Sequence, residues 1–206
     1  CQSWISKDNR MARWEESERE NNWNKIEKAV YETKGKLIKY EGMPINALFH
    51  ANSGGKTELA VNVWGGEYPY FQSIETMGED NYSSYNSEVE LSKDEIIKIM
   101  IENYKNFQID YDKEDAIKII EYTDSGRVSK IKIGNIELSG IEARKLFGLK
   151  SAKFEIQLND NKIIFFVIGY GHGVGLSQCG SDFLAKQGKD FEEIIKYYYK
   201  NVEISE

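Results

Sequence analysis

The two histidines of the chain each lie beside a loop that is rich in glycine. His50 precedes the small polar residues 52–57 (NSGGKT), and His172 lies inside residues 169–175 (GYGHGVG), where four of the seven residues are glycine. Glycine adopts backbone conformations with positive φ and lets a ligand approach the main chain. Free amides at the start of a following helix can donate hydrogen bonds. The two loops are therefore candidates for a site that binds a ligand through imidazole and backbone groups.

The spacing of these glycines argues against a nucleotide phosphate loop. Residues 169–178 (GYGHGVGLSQ) match neither G-x-x-x-x-G-K-[ST] nor a dinucleotide-binding fingerprint with a ribose-binding acid. The alternative to a ligand site is a structural one, in which each loop is an ordinary turn and His172 is a packed histidine that holds the glycines. Taken singly, the loops leave both interpretations open.

The two cysteines, Cys1 and Cys179, are too few for a disulfide-dense scaffold. Thiolate and imidazole are ligands that zinc prefers, usually four to one ion. A zinc site built from Cys1, Cys179, His50 and His172 is one interpretation, although no compact ligand spacing supports it. A Cys1–Cys179 disulfide outside the cytoplasm and a free thiol are the others.

The composition excludes several classes of protein. The chain has 206 residues, a net charge of −7, 40% hydrophobic residues and 13% aromatic residues. A chain of this length can bury a sizeable core, and its aromatic content argues against intrinsic disorder. Because the cations are spread among carboxylates, nucleic acid is not expected as a partner. No apolar run approaches the roughly 20 residues that cross a bilayer.

Hydrophobic periodicity and turn residues predict the elements that position the two loops. The predicted helices are 8–33, one that begins after Ser92, 139–148, 176–187 and 191–200, and the predicted strands are 36–40, 44–51, 88–91, 116–123, 128–138, 154–158 and 163–168. Helices and hairpins are interspersed without a βαβ rhythm, which predicts an α+β fold with mainly antiparallel sheet. We treat residues 1–206 as one domain, with 106–114 as the candidate subdomain boundary.

Residues 169–178 resemble the signature of the stage II sporulation protein D family, and further stretches agree with it in the family's order. Residues 50–57 resemble its His-x-x-Ser-Gly-Gly-x-Thr loop, 63–70 its Trp-Gly and Pro-Tyr positions, and 194–199 its Ile-x-x-x-Tyr-Tyr helix. The family also has a Gly-x-x-x-Arg-x-Leu-Gly-Leu-x-Ser stretch, which is similar to Gly140, Arg144, Leu146 and residues 149–151. The resemblance runs from Cys1 to about Lys200. Cys179 and Ser181 depart from it, because the family usually has Tyr and Ala there.

This resemblance implies a lytic transglycosylase of sporulation. The family cleaves the bond between MurNAc and GlcNAc in peptidoglycan glycan strands that lack stem peptides, and it leaves 1,6-anhydro-MurNAc ends. The implied partners during forespore engulfment are an amidase, stage II sporulation protein P, and a membrane scaffold, stage II sporulation protein M. The implied location is extracytoplasmic, anchored by an N-terminal helix, in a spore-forming low-GC Gram-positive bacterium. The alternative is a non-catalytic module that binds glycan and recruits an amidase.

In such an enzyme one carboxyl group can act first as acid and then as base, because the sugar's own hydroxymethyl group supplies the nucleophile. The family's catalytic Glu lies upstream, so we expect it to precede Cys1. The carboxylates near the motifs are expected to be solvated or structural, namely Glu58, Glu67, Glu75 and Asp80. His172 is expected to support catalysis by positioning this Glu or a sugar hydroxyl.

The resemblance also implies which residues bind substrate and metal. The expected substrate-binding residues are His50, Ser53, Gly54, Gly55, Thr57, Tyr70, Tyr170, Gly171, Gly173 and Gln178. Cys1 and the three residues after it resemble a family position at which some members bind zinc. Cys1 is therefore expected to be one ligand of a structural zinc ion whose other ligands lie upstream, with no metal required for the chemistry.

Overall fold

The computed structural model describes residues 4–206. The helices are α1 (Lys7–Met11), α2 (Arg19–Glu32), α3 (Val61–Trp64), α4 (Lys93–Asn103), α5 (Gly140–Leu146), α6 (Gln178–Lys186) and α7 (Phe191–Tyr198). The strands are β1 (Leu37–Tyr40), β2 (Met43–Pro44), β3 (Phe49–His50), β4 (Asn86–Ser92), β5 (Ile117–Tyr122), β6 (Val128–Ile133), β7 (Ile136–Ser139), β8 (Phe154–Leu158), β9 (Lys162–Ile168), β10 (Leu176–Ser177) and β11 (Glu203–Ser205). The predicted α+β class with mainly antiparallel pairing is confirmed.

Two three-stranded antiparallel sheets enclose the larger of two hydrophobic cores. Their strand orders are β4-β9-β8 and β5-β6-β7. The apolar sides of α4 and α5 pack onto the same core, where Ile96, Met100 and Ala143 are fully buried. Both helices begin with capping boxes, formed by Ser92 with Glu95 and by Ser139 with Glu142. Strand β9 leads from this core directly into residues 169–175.

A second core lies under the C-terminal helices. It consists of buried residues from two distant parts of the chain, namely Ala60, Tyr70, Phe71, Val174, Leu184, Ile194, Tyr198 and Tyr199. The sheet of β11, β1 and β2 accompanies it, because Ile38 and Tyr40 of β1 pack against these residues. Val174 therefore anchors the C-terminal end of the glycine-rich segment in this core.

Four predicted elements differ from the structure. The strand predicted at 128–138 is divided by a turn at 134–135 into β6 and β7, which pair antiparallel with each other. The helix predicted at 8–33 is divided into α1, a 3-10 turn at Glu16–Glu18 and α2, and none of these has a buried residue. The predicted strand 44–51 is split, because β2 pairs antiparallel with β1 whereas β3 pairs parallel with β10. The helix predicted from Leu176 begins at Gln178, since Leu176 and Ser177 are held in that parallel pair.

The segment 106–114 packs into the larger core. Phe107 is buried there, and Ile109 and Tyr111 pack against the same cluster.

Within residues 4–206, no helix is both long and apolar enough to cross a membrane.

Candidate functional site

The two predicted loops lie side by side. We call residues 50–57 the polar loop and residues 169–175 the glycine loop. Asn52 and Tyr170 exchange backbone hydrogen bonds of 3.0 and 2.8 Å, and the amide of Glu58 donates to the carbonyl of Gly173 at 2.8 Å. The rings of His50 and His172 consequently lie 5.6 Å apart, centroid to centroid. The structure thus joins two histidine motifs that are far apart in sequence into one surface.

His50 is buried and neutral. Only 4% of its surface is exposed, and its Nδ1 lies 3.1 Å from the carbonyl oxygen of Val174. Burial lowers its pKa to about 3, although the Val174 carbonyl acts in the opposite direction. Because the carbonyl is an acceptor, Nδ1 carries the proton and donates it. Nε2 is buried without a partner among the described residues, so His50 supports the glycine loop from below.

His172 is half-buried and lies where the two loops meet open surface. Its Nδ1 accepts a hydrogen bond of 3.1 Å from the amide of Val174. Burial lowers its pKa, and the nearby cations Arg144 and Arg127 add to that effect, whereas the Phe49 carbonyl opposes it. The indole of Trp64 lies 4.9 Å from its ring. A neutral imidazole in this place can orient a neighbouring group, and the supporting role of His172 in catalysis stays a prediction.

The carboxylate of Glu79 holds the polar loop through hydrogen bonds, although Glu79 lies outside that loop, and sequence reasoning missed it. Its carboxylate accepts hydrogen bonds from the Ser53 amide at 2.8 Å and from the Gly55 amide at 2.7 Å. The hydroxyls of Ser53 and Thr76 donate to it at 2.6 Å each, and the hydroxyl of Ser177 donates as well. Burial acts to raise the pKa of Glu79, but these hydrogen bonds outweigh it and hold the pKa below its usual value. Glu79 is therefore an ionised structural carboxylate.

A second buried carboxylate, Glu58, holds the loop from its other end. It accepts hydrogen bonds from Thr123 at 2.6 Å, Ser125 at 2.7 Å and Asn62 at 2.8 Å. Burial acts to raise the pKa of Glu58, but these bonds outweigh it, so its pKa is lowered. The structural role expected for Glu58 agrees with this environment.

Arg127 lies between the two buried carboxylates. Its guanidinium donates to the carbonyls of Ser53 at 2.7 Å and Lys56 at 3.0 Å, and to the Ser125 hydroxyl at 2.7 Å. Burial lowers its pKa to about 10, while Glu58 and Glu79 act in the opposite direction. Arg127 therefore stays charged and fastens the backbone of the polar loop.

Most of the polar-loop residues expected to touch substrate are occupied internally. Ser53 and Thr57 are fully buried. Ser53 is bonded to Glu79, and the Thr57 hydroxyl donates to the Gln72 carbonyl at 3.0 Å. A Cβ on Gly54 would lie 3.0 Å from the Ile168 side chain. These residues, with Gly55 and His50, build the floor of the site. The Ser53 and Thr57 hydroxyls and the Gly55 amide, which were expected to contact substrate, are instead bonded within the protein.

The aromatic residues divide into buried and exposed ones. Tyr70 is only 8% exposed and its hydroxyl accepts a hydrogen bond from the Asn46 amide, so it supports the second core. Tyr170 is 45% exposed beside His172, and Trp64 is 54% exposed. Gln178 is exposed at the start of α6. Tyr170, Trp64 and Gln178 are therefore free to meet a ligand, and Trp64 was not among the expected binding residues.

Gly171 and Gly173 have no room for a side chain. A Cβ on Gly171 would lie 2.8 Å from the Cβ of His50, and one on Gly173 would lie 2.2 Å from the guanidinium of Arg127. Both have positive φ, at 116° and 84°. The two glycines therefore let the glycine loop lie flat on His50 and Arg127.

A small cavity of about 100 Å³ opens beside His172. Its walls come from α3, β6, α5 and the glycine loop, and its polar lining includes Glu58, Asn62, Arg127, Arg144 and Ser129. Arg144 is half-buried on α5, and its Nε donates to the Leu149 carbonyl at 3.3 Å. The site thus combines the exposed rings of Trp64 and Tyr170, here called the aromatic rim, with a recess lined by Arg127 and Arg144.

The expected metal ligand Cys1 lies outside the described residues, as does a Cys1–Cys179 pair. Cys179 is half-buried, with its sulfur 3.3 Å from the Ser84 hydroxyl. Over residues 4–206, no group of three or more His, Cys, Asp or Glu side chains is placed to hold a metal ion. Cys179 is therefore not gathered with His50 and His172 into a zinc site.

Sequence comparisons find relatives of this chain among sporulation proteins and an amidase enhancer. The chain is 34% identical to stage II sporulation protein D of Bacillus subtilis (strain 168) over 91% of its own length and 53% of that protein. It is 34% identical to the protein of that name from Bacillus amyloliquefaciens, over 90% of the chain and 52% of that protein. An amidase enhancer of Bacillus subtilis is 26% identical, over 86% of the chain and 32% of that protein. No family model matches the chain.

The chain spans about half the length of the two sporulation proteins that it matches. The similarity nevertheless covers about nine tenths of the chain. Over the part that it covers, the chain therefore belongs to the stage II sporulation protein D family.

Proposed function

We propose that the chain is the glycan-binding part of a lytic transglycosylase that acts on the cell wall during sporulation. The substrate is a peptidoglycan glycan strand without stem peptides, cut between MurNAc and GlcNAc to leave a 1,6-anhydro-MurNAc end. The observation that carries the proposal is the open surface around His172, where the exposed indole of Trp64 lies 4.9 Å from a half-buried neutral imidazole and Tyr170, two residues earlier in the glycine loop, is also exposed. Sugar rings present C–H faces to aromatic rings and hydroxyls to neutral polar groups.

The described carboxylates closest to this surface do not fit the role of general acid. A general acid at neutral pH needs a raised pKa, whereas hydrogen bonds hold the pKa values of Glu58 and Glu79 below their usual range. We therefore propose that the acid is a Glu that precedes Cys1 in the whole protein. In this scheme His172 is a positioning residue, which orients that Glu or a sugar hydroxyl.

The names of the relatives support the proposed setting. One is an amidase enhancer and two are sporulation proteins. The proposed partners are accordingly an amidase that removes stem peptides, stage II sporulation protein P, and the scaffold stage II sporulation protein M. The proposed location is the extracytoplasmic side of the engulfing membrane.

A second candidate function is a non-catalytic glycan-binding module that recruits an amidase. Two observations favour it: the similarity to an amidase enhancer, and the ionised state of both buried carboxylates at the site. Such a module needs the aromatic rim and the cavity but no acid.

Digestion of stem-peptide-free glycan strands by the whole protein separates the two candidates. We expect mass spectrometry to find 1,6-anhydro-MurNAc ends. Binding without such ends would reject the transglycosylase and support the binding module. Failure to bind or cut the strands would reject both.

A further inference from the structure

The cavity beside His172 contains a cation without a counter-ion. The positive charge of Arg127 is balanced by the flanking carboxylates Glu58 and Glu79, which are ionised. Arg144 takes part in none of the ion pairs found among residues 4–206. Among the described residues, the Arg144 side chain makes one hydrogen bond, from Nε to the Leu149 carbonyl. The N–H groups of its two Nη atoms are therefore available to a ligand.

Burial makes this arrangement costly in the absence of a ligand. Desolvation lowers the pKa of Arg144, and the nearby Tyr170 only partly opposes this effect. A half-buried guanidinium gains most from a carboxylate or phosphate, which it can bind through two parallel hydrogen bonds. The chain as a whole has a net charge of −7, so a cationic recess is a local feature that selects anionic groups.

We propose that Arg144 binds a carboxylate of the ligand and, given the glycan substrate proposed above, that this group is the lactyl carboxylate of MurNAc. In a strand that bears stem peptides this group is an amide, which has no charge and continues into a peptide. In a strand without stem peptides it is a free carboxylate. GlcNAc has no lactyl group at all.

The size of the recess supports the same choice. A volume of about 100 Å³ accommodates a carboxylate with its neighbouring carbon atoms but not a peptide. The neutral groups of Ser129 and Asn62 line the same recess and can bond to the remaining carboxylate lone pairs. Arg144 would therefore act as a specificity-determining residue that distinguishes strands without stem peptides from intact ones.

The test compares the affinity of the whole protein for two probes: glycan strands freed of stem peptides, and GlcNAc oligosaccharides of matched length. We expect Arg144→Gln to weaken binding of the MurNAc-containing strands about tenfold or more, which corresponds to about 1.4 kcal/mol. Binding of the GlcNAc oligosaccharides should change little. Arg144→Lys, which keeps the charge, should lose less than Arg144→Gln. The matched control is Lys145→Gln, which removes a charge from an exposed position on the same helix.

The ratio of the two affinities is the decisive quantity, because partial unfolding lowers both affinities alike. An equal loss of affinity for both probes, or no loss for either, would overturn the carboxylate site. Neither result would contradict the proposed glycan binding of the wild-type protein. If the wild-type protein binds neither probe, the proposed function itself fails. If Lys145→Gln reduced the ratio of the two affinities as much as Arg144→Gln does, the ratio would reflect general electrostatic attraction of the strand to the protein. That result would also overturn the site.

Discussion

At Glu79, five hydrogen bonds from three different parts of the chain converge on one buried carboxylate. Ser53 and Gly55 belong to the polar loop, Thr76 lies three residues before Glu79, and Ser177 is the N-cap residue of α6. A charged acceptor makes each of these bonds stronger than a neutral one. The residue that fixes the shape of the site is thus separate from the residues that face a ligand.

Replacing Glu79 with Gln should destabilise the protein by about 2–4 kcal/mol. The side chain keeps its size, but an amide has one acceptor oxygen, and its NH₂ group would face donors such as the Gly55 amide. Chemical denaturation measures the free energy of unfolding. The control is Asp80→Asn at the exposed neighbouring position, where a change within about 0.5 kcal/mol is expected. Equal small effects at both positions would contradict the role given to Glu79.

The stability of the fold should decrease as the pH falls from 7 to 5. An unfolded histidine takes up a proton below its ordinary pKa of 6.5, whereas folded His50 takes one up only at a pKa of about 3. The unfolded state therefore binds more protons in this window, and each such histidine contributes a slope of up to about 1.4 kcal/mol per pH unit. The lowered pKa of His172 has the same sign.

Denaturation curves at pH 7, 6 and 5 test this dependence. His50→Gln should reduce the slope because it removes the group that titrates in the unfolded chain. A stability that is flat over this range in the wild-type protein would contradict the buried neutral state of His50.

At the scale of elements, the glycine loop is fitted to the side chains beneath it. Gly173 has a φ of 84°, and its Cα faces the guanidinium of Arg127. Gly188, between α6 and α7, has a φ of 90° with no atom within 4 Å of an added Cβ. The two glycines therefore share the backbone strain that a side chain would meet but differ in the space available to it.

Gly173→Ala should cost more stability than Gly188→Ala. Backbone strain in the left-handed region costs about 1–2 kcal/mol at either position. Displacement of Arg127 should add about 1–3 kcal/mol at Gly173 alone. Thermal or chemical denaturation of both variants isolates the added term as their difference. Equal costs would show that the loop is not packed on Arg127 as described.

At the scale of the whole molecule, a chain with a net charge of −7 places two arginines in one recess. Arg127 and Arg144 both line the cavity beside His172, where β6, α5 and the glycine loop converge. Cations in such a cleft favour an anionic ligand there. Over residues 4–206 no group of three or more potential metal ligands is found. The structural zinc ion that the family resemblance implies is one held by Cys1 together with residues that precede it.

We propose such a zinc site in the whole protein, and elemental analysis tests it. The purified protein should contain about one zinc ion per chain. Cys1→Ser should lose the metal, because thiolate is a far better zinc ligand than a hydroxyl. The control is Cys179→Ser, which should retain it, since the sulfur of Cys179 lies beside the Ser84 hydroxyl. Zinc retained after Cys1→Ser would remove Cys1 from the ligand set.

The sequence by itself determined the local features of this protein. Capping boxes at Ser92 and Ser139, the hairpin of β8 and β9 and the two histidine loops depend on residues close together in the chain. Periodicity and turn chemistry report such short-range interactions, and the family motifs lie within them.

Only the tertiary structure decided how these features form a site. The parallel pairing of β3 with β10, which joins His50 to Ser177, has no local signal because the two strands have only two residues each. Glu79 reads in the sequence like any surface acid, and its 1% exposure results from partners 26 and 98 residues away. Burial and charge balance are properties of residues brought together from distant parts of the chain, so the roles of Glu79 and Arg144 emerge only once the chain is folded.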